Sequence, residues 1–217
     1  MFHELSQLLY PTRCYGCKSL GPSICSNCKS ELQLGFYKTR VEAITVYSGL
    51  LYTNTASKII IAAKENGFKA ADELIIAAIL GTLEKLHVDS KTLHLVPIPS
   101  SRQTQRRRGR SFIADLTQEM SAKTGIAIND CLEISRKVKD QSTLRRAERV
   151  ANMHGAFNLK SSPRGDLLII DDVVTTGATL REAIRAINSQ RTQGMSTISA
   201  VTACVAQPLR YGVEPTL

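Results

Sequence analysis

The stretch from Leu167 to Leu180 constrains the chain most: Leu-Leu-Ile-Ile-Asp-Asp-Val-Val-Thr-Thr-Gly-Ala-Thr-Leu. Its apolar opening is too short for a helix and rich in Ile and Val, which predicts a buried parallel strand. Asp171 and Asp172 are expected to end that strand. A loop of small and hydroxyl residues, Thr175 to Thr179, follows them. A helix is expected from about Leu180, because Leu180, Ala183, Ile184 and Ile187 fall at helical spacing. The start of that helix would offer unpaired N–H groups and a positive dipole end, which suit a phosphate. Gly177 would let the backbone approach that phosphate closely. The two carboxylates can accept hydrogen bonds from neighbouring sugar hydroxyls or lie near a bound cation. The plainer alternative is a strand–loop–helix crossover with solvated acids.

The second constraint is Cys14-x-x-Cys17 followed by Cys25-x-x-Cys28, with seven residues between the pairs. Each pair can close a tight turn on one metal ion, and two such turns complete a tetrahedral sulfur site. Lys18 and Lys29 would moderate the charge of four thiolates, and Gly16, Gly21 and Pro22 supply turn chemistry. Local disulfides are the alternative, opposed by strain and by a reducing compartment. A closed four-cysteine site is structural; zinc is the default metal, with iron left open. Cys131 and Cys204 stand in apolar surroundings and read as small buried residues.

Between these features the chain alternates strand and helix patterns. After a short apolar lead-in, Leu5 to Tyr10, a short helix is expected from about Asn27, ended by Gly35. A strand is expected at Ala43 to Tyr47, broken by Gly49. Helices are expected at Thr55 to Lys64, Ala70 to Leu86 and Phe112 to Lys123. Asn66-Gly67 is read as a turn, with Lys64 either a solvated helix end or part of a site. Leu93 to Ile98 reads as a strand, with His94 a satisfied residue at the sheet margin. Next comes a loop, Ser100 to Ser111, bearing Arg102, Arg106, Arg107, Arg108 and Arg110. At the end of a strand in an open α/β sheet, such a cluster suits a polyanion, because guanidinium groups bind phosphate oxygens in pairs. A solvated basic face or a nonspecific DNA contact is the alternative. Asn129 to Ile134 is expected as a short edge strand. The charged segment Arg136 to Val150 suits either a flap over a site or an exposed helix and linker. Phe157 and Leu159 would serve as apolar anchors after it, and Thr197 to Val205 would form the last strand. The tail after Gln207 is expected to be loose.

A chain of 217 residues with 43% hydrophobic and 22% charged residues has room for one α/β domain and a small appendage. The expected division is a cysteine module over 1–40 and an α/β domain over 41–217. The net charge of +9 suits an anionic partner, nucleic acid or polyphosphate. Aromatic residues at 5%, with no Trp, argue against a base-stacking platform. The longest apolar run, Leu74 to Leu80, is far short of a membrane span. The N-terminus carries no signal-peptide pattern, so the expected compartment is the cytoplasm.

The Leu167–Thr179 segment resembles the phosphoribosyl-diphosphate (PRPP) binding motif of type I phosphoribosyltransferases: four apolar residues, two acids, two apolar residues, then Thr/Ser-Thr-Gly-x-Thr. Three further blocks resemble one family. They are the cysteine module, Leu95-Val96-Pro97-Ile98-Pro99 leading to Arg108-Gly109, and Asp140-Gln141 ahead of Leu144, Arg146-Ala147-Glu148-Arg149, Asn152 and Gly155-Ala156-Phe157. With them the chain resembles the ComF family of phosphoribosyltransferase-like proteins, named for a role in bacterial competence. Lys64 ahead of Asn66-Gly67 fits as well. Arg110, Ser111 and Phe112 depart from the aromatic residue, Asn and Gln usual after the Arg-Gly pair.

The resemblance implies an α/β fold of type I phosphoribosyltransferase kind: a parallel sheet flanked by helices, with a small N-terminal zinc-binding module. It implies bound PRPP with Mg²⁺, and Asp171 and Asp172 as catalytic residues holding the ribose hydroxyls. Val173, Thr175, Thr176, Gly177, Ala178 and Thr179 would cradle the 5′-phosphate. Ser100, Ser101, Arg102 and Arg108 would receive pyrophosphate, and Arg146, Arg149 and Asn152 would belong to a closing flap. No residue stands out as a general base, so the acceptor is open. The chain therefore carries two functional expectations. One is an enzyme transferring a phosphoribosyl group. The other is a binding protein that senses PRPP or a nucleotide, or that handles single-stranded DNA or a partner protein in DNA uptake.

Overall fold

A computed structural model of the chain describes residues 12–136, 152–163, 165–189 and 198–206. Its elements in order are α1 (Ser26–Ser30), β1 (Leu34–Val41), β2 (Ile44–Leu51), α2 (Asn54–Asn66), α3 (Lys69–Leu86), β3 (Leu93–Pro97), α4 (Arg102–Arg108) and α5 (Phe112–Thr124). They continue with β4 (Ala127–Ile128), β5 (Leu132–Ile134), β6 (Phe157–Leu159), β7 (Asp166–Val174), α6 (Ala178–Asn188) and β8 (Ile198–Val205). Six strands form one sheet in the order β1-β2-β8-β7-β3-β4. All pairings in it are parallel except that of the edge strand β1 with β2. The expected α/β fold, a mostly parallel sheet flanked by helices, is the one observed.

The run Leu167 to Ile170 is apolar throughout because β7 is buried on both faces. Leu168 and Ile170 join the core formed with Ile59, Ile75, Ile79 and Leu116 of α2, α3 and α5. Leu167 and Ile169 join the opposite core, with Leu180, Ala183, Ile184 and Ile187 of α6. The helical spacing read in that segment is therefore the buried stripe of α6.

Several boundaries differ from the sequence reading. The strand does not end at the acids: β7 runs on to Val174, and α6 begins at Ala178, not Leu180. Gly49 does not break a strand but lies inside β2, where a Cβ would stand 2.2 Å from the Ala78 carbonyl oxygen. A side chain there would collide with the backbone of α3. Gly35 ends no helix; α1 is capped at Glu31, and Gly35 sits at an irregularity of β1 beside the Tyr37 ring. The basic loop Ser100–Ser111 contains the helix α4, capped by the Ser101 hydroxyl, which accepts from Thr104 N at 3.1 Å. Of the segment 129–134, only Leu132–Ile134 is a strand, and it pairs with β6 in a separate two-stranded sheet. Phe157 is buried as expected. The lead-in 5–10, residues 137–150 of the expected flap, Thr197 and the tail after Gln207 lie outside the described residues. Among the described residues no helix is long and apolar enough to cross a membrane.

Candidate functional site

The C-terminal ends of β3 and β7 lie side by side and carry the Ser100–Ser111 segment and the acid pair with its loop. Pro97 of β3 pairs with Ile170 of β7, and Ile98 N donates to Ile170 O at 3.1 Å. Ser100 and the start of α4 thus follow at the level of Asp171 and Asp172 on the adjacent strand. Beyond Val174 the chain turns through Thr175, Thr176 and Gly177 into α6. Thr176 Oγ1 accepts from Ala178 N at 3.3 Å, and Thr179 lies in the first helical turn. Gly177 is the N-cap with φ of 72° and has no side chain to cap the helix end. The requirement for glycine comes from within the protein. Besides the left-handed backbone, a Cβ there would stand 2.7 Å from Val41 Cγ2 of β1.

Asp171 and Asp172 are both buried. Asp172 N donates to Asp171 Oδ1 at 2.9 Å, and Lys64 Nζ at the end of α2 forms an ion pair with Asp172 Oδ2. Lys64 is therefore not a solvated helix end. Burial and the charge of Asp172 push the Asp171 carboxyl well above the ordinary carboxylate range. Burial acts on Asp172 in the same direction, but the Lys64 charge and hydrogen bond outweigh it and hold Asp172 below that range. The same pairing outweighs burial at Lys64 and raises its ammonium. Of the two carboxyls, Asp171 is the one that keeps its proton to higher pH, and Asp172 is the one that ionises first. A group with a raised folded value contributes stability that is complete below the unfolded value and is lost as pH rises through the folded one. Asp172, with its depressed value, contributes in the opposite sense: its stability is present above the ordinary range and is lost as pH falls through the depressed value. Asp171→Asn, which mimics the protonated acid and can still accept from Asp172 N, should therefore melt above wild type near neutral pH. The gap should close as pH falls towards 4, into the ordinary carboxylate range of about 4. Thermal melts at a series of pH values check this, and a gap independent of pH would count against it.

The basic arm is more committed than the sequence suggested. Arg110 is bound to Asp72 of α3 at 2.6 Å and to Asp115 at 3.0 Å, and its guanidinium lies 5.2 Å from the centre of the buried Phe112 ring. Arg110 thus braces α3 against α5 through two ion pairs that the reading of Arg110 within a polyanion site did not foresee. Arg107 and Arg108 both reach Glu65, at 3.4 and 2.5 Å. Arg102 and Arg106 line an open depression of about 560 Å³ with Gln105, Gly109, Arg110 and Ser111. Ser100 lies 3.4 Å from Ser111, hydroxyl to hydroxyl, and its carbonyl accepts from Gln105 Nε2 at 2.9 Å. Asn152 is placed just ahead of β6, its carbonyl accepting from Arg136 Nη2 at 2.9 Å. Arg146 and Arg149 lie outside the described residues.

Sequence reasoning missed Glu65 and Asp72. It also missed a clamp in which buried Glu182 of α6 accepts from Phe157 N at 3.1 Å and pairs with Arg185 at 2.7 Å. The only local signal for that clamp was the Glu182–Arg185 spacing on one helical face.

The four cysteines converge as predicted. Their sulfur atoms all lie within 4.8 Å of one another, and Cys17 and Cys25 Sγ are 3.7 Å apart. Sulfur atoms about 2.3 Å from a tetrahedral metal stand roughly 3.8 Å apart, so the set fits zinc or another thiolate-bound metal. Gly16 is required here, since a Cβ would stand 2.5 Å from Cys28 Sγ. Burial would raise the Cys14 thiol, but hydrogen bonds from the Cys25 and Cys17 backbone and from Cys28 bring it down to about 6. Cys17 is lowered by Ser19, whereas burial and the neighbouring thiols raise Cys28. Cys14, Ile24, Cys28 and Leu32 share one core with α2 and α3. The Tyr15 ring stacks on Phe68 at 4.4 Å, and the Thr55 hydroxyl donates to Glu31. Cys131 and Cys204 are fully buried, as expected; burial raises both thiols, to about 11 and about 12.

Comparison with known proteins adds the family. No curated protein matches the chain. Among solved structures, a hypoxanthine phosphoribosyltransferase from Staphylococcus aureus in a tetragonal crystal form is 21% identical, over 67% of this chain and 71% of that one, with a TM-score of 0.37. Its orthorhombic form is 20% identical over 66% and 81%, with a TM-score of 0.34. The assignment rests instead on the family match, in which the phosphoribosyl transferase domain covers residues 70–213 and so includes the acid pair, its loop and the basic arm. The chain belongs to the phosphoribosyl transferase domain family.

Proposed function

We propose that the protein is a ComF-like phosphoribosyltransferase that binds PRPP with Mg²⁺ and transfers its phosphoribosyl group, releasing pyrophosphate. The observation that carries this reading is the buried Asp171–Asp172 pair, with Asp171 pushed up by burial and Asp172 held down by Lys64, just before the Gly177 helix start. A protonated and an ionised carboxyl side by side supply both a donor and acceptors for the two ribose hydroxyls. Val173 and the turn from Thr175 to Thr179 receive the 5′-phosphate, where the helix dipole favours an anion. Ser100, Ser101, Arg102 and Arg108 take the pyrophosphate end, and Arg146, Arg149 and Asn152 form the flap. Mg²⁺ would be shared between the ligand and water, because it gives up its own water shell reluctantly. The reaction breaks the bond from C1 to pyrophosphate through a transition state of oxocarbenium character, and the acceptor supplies the new bond to C1. Cys14, Cys17, Cys25 and Cys28 hold a structural zinc. The family resemblance supports a cytoplasmic protein with a role in competence and DNA uptake.

A second reading is a PRPP or nucleotide sensor, or an adaptor for single-stranded DNA, that does not turn over. The net charge of +9 and the depression between Arg102 and Arg106 favour it. Incubation with labelled PRPP, Mg²⁺ and a pool of bases and amines separates the two. Pyrophosphate release that falls at least about a hundredfold in Asp172→Asn is expected, on the scale of losing a transition-state contact. PRPP binding without release, alongside salt-sensitive binding of single strands, would support the adaptor instead.

A further inference from the structure

The last turn of α2 carries two opposite charges in succession, and each is turned to a different arm of the site. Lys64 pairs with Asp172 on the acid arm, and its neighbour Glu65 pairs with Arg107 and Arg108 on the basic arm. The Arg108 side chain is only 10% exposed, and its Nε has no hydrogen-bond partner among the described residues; Nη2 rests on Glu65 Oε1 at 2.5 Å. A guanidinium presents its N–H groups as a fork that fits two oxygens of one anion. Glu65 engages the Nη2 prong, and the Nε prong is unclaimed among the described residues. The Glu65 carboxylate therefore stands where an anion held by the whole fork would have to come, and a second anion there would meet a like charge at close range.

We propose that Glu65 is a built-in competitor for the anionic leaving group. It occupies Arg108 in the free protein and must yield when pyrophosphate, free or within PRPP, binds. Glu65 thus sets the affinity of the basic arm and favours release of the pyrophosphate product. The inference rests on the reading of Arg108 as part of the pyrophosphate end of a PRPP site. It is distinct from the role of Lys64, which serves the acids.

The test is calorimetric titration of inorganic pyrophosphate with Mg²⁺ into wild type, Glu65→Gln, Arg108→Gln and the double variant, at fixed ionic strength. Glu119→Gln serves as the control for net charge, since Glu119 pairs with Lys123 on an exposed face of α5. Glu65 is a third exposed, so Glu65→Gln is expected to fold, and Glu65→Ala frees the same guanidinium should it not. Glu65→Gln should bind pyrophosphate about five- to tenfold more tightly, the size of one released ion pair. Glu119→Gln should show no gain, and on the Arg108→Gln background the gain should vanish. Unchanged or weaker binding by Glu65→Gln, or an equal gain on the Arg108→Gln background, overturns the inference and leaves the PRPP reading intact. Absence of binding of both pyrophosphate and PRPP in every variant overturns that reading, and the inference with it.

Discussion

Lys64→Met should lower stability by about 2–4 kcal/mol near neutral pH, a fall in melting temperature of roughly 5–15 °C. The methionine keeps an unbranched apolar stem of nearly the same reach and removes the ammonium, with its charge and its hydrogen bond to Asp172. Asp172 is then buried beside a second carboxyl with no counter-ion, and breaking one side of a buried pair costs far more than removing both. The estimate sits below the full cost of a deeply buried pair because the Lys64 side chain is 30% exposed. The pH dependence gives the cause away. Without Lys64, burial and Asp171 act unopposed to raise Asp172, so the deficit should shrink as pH falls towards the ordinary carboxylate range. Lys64→Arg should recover part of the loss, and Lys64→Met combined with Asp172→Asn should recover most of it. Equal destabilisation by the single and double variants would show that Lys64 acts through packing.

The second large effect concerns the cysteine module. The purified protein should carry close to one zinc per chain, and Cys28→Ser should lose it. The loss should reach the domain, because Cys14, Ile24, Cys28 and Leu32 are packed into the core shared with α2 and α3. Structural zinc contributes about 10–16 kcal/mol in small modules that fold only around the metal. Here part of that energy is replaced by packing, and a fall in melting temperature of at least about 10 °C is expected on Cys28→Ser or on chelation. Metal analysis and thermal melts check both halves. A metal-free protein with an unchanged melting temperature would show that the four thiols are bystanders.

Much of the fold was legible because it is written in local periods. Leu167 to Ile170 and the stripe Leu180, Ala183, Ile184 and Ile187 place a doubly buried strand and the helix over it from sequence alone. The paired Cys-x-x-Cys spacing likewise brought four sulfurs together. What stayed hidden is tertiary. Lys64 and Asp172 are 108 residues apart, and no local pattern links a helix end to an acid on another strand. Arg110 reads as one more phosphate-binding arginine until Asp72 and Asp115 are seen to hold it. Gly49 looks like a strand breaker because the sequence does not show how near Ala78 passes. The acid pair was legible in its identity. The opposite shifts of its two carboxyls, Asp171 up and Asp172 down, came only with burial and Lys64.

A buried acid whose carboxyl is pushed up by its surroundings, at a cost in stability, is a common mark of a site kept for binding rather than for folding. The most direct test of that claim is calorimetric titration of PRPP with Mg²⁺ into wild type and Asp171→Ala, which removes both carboxyl oxygens, with thermal melts confirming that the variant is folded. The account predicts saturable binding of one PRPP per chain in wild type, weakened at least about tenfold in Asp171→Ala, the loss of one good ligand hydrogen bond. No saturable binding by wild type, or equal binding by the two proteins, would contradict it.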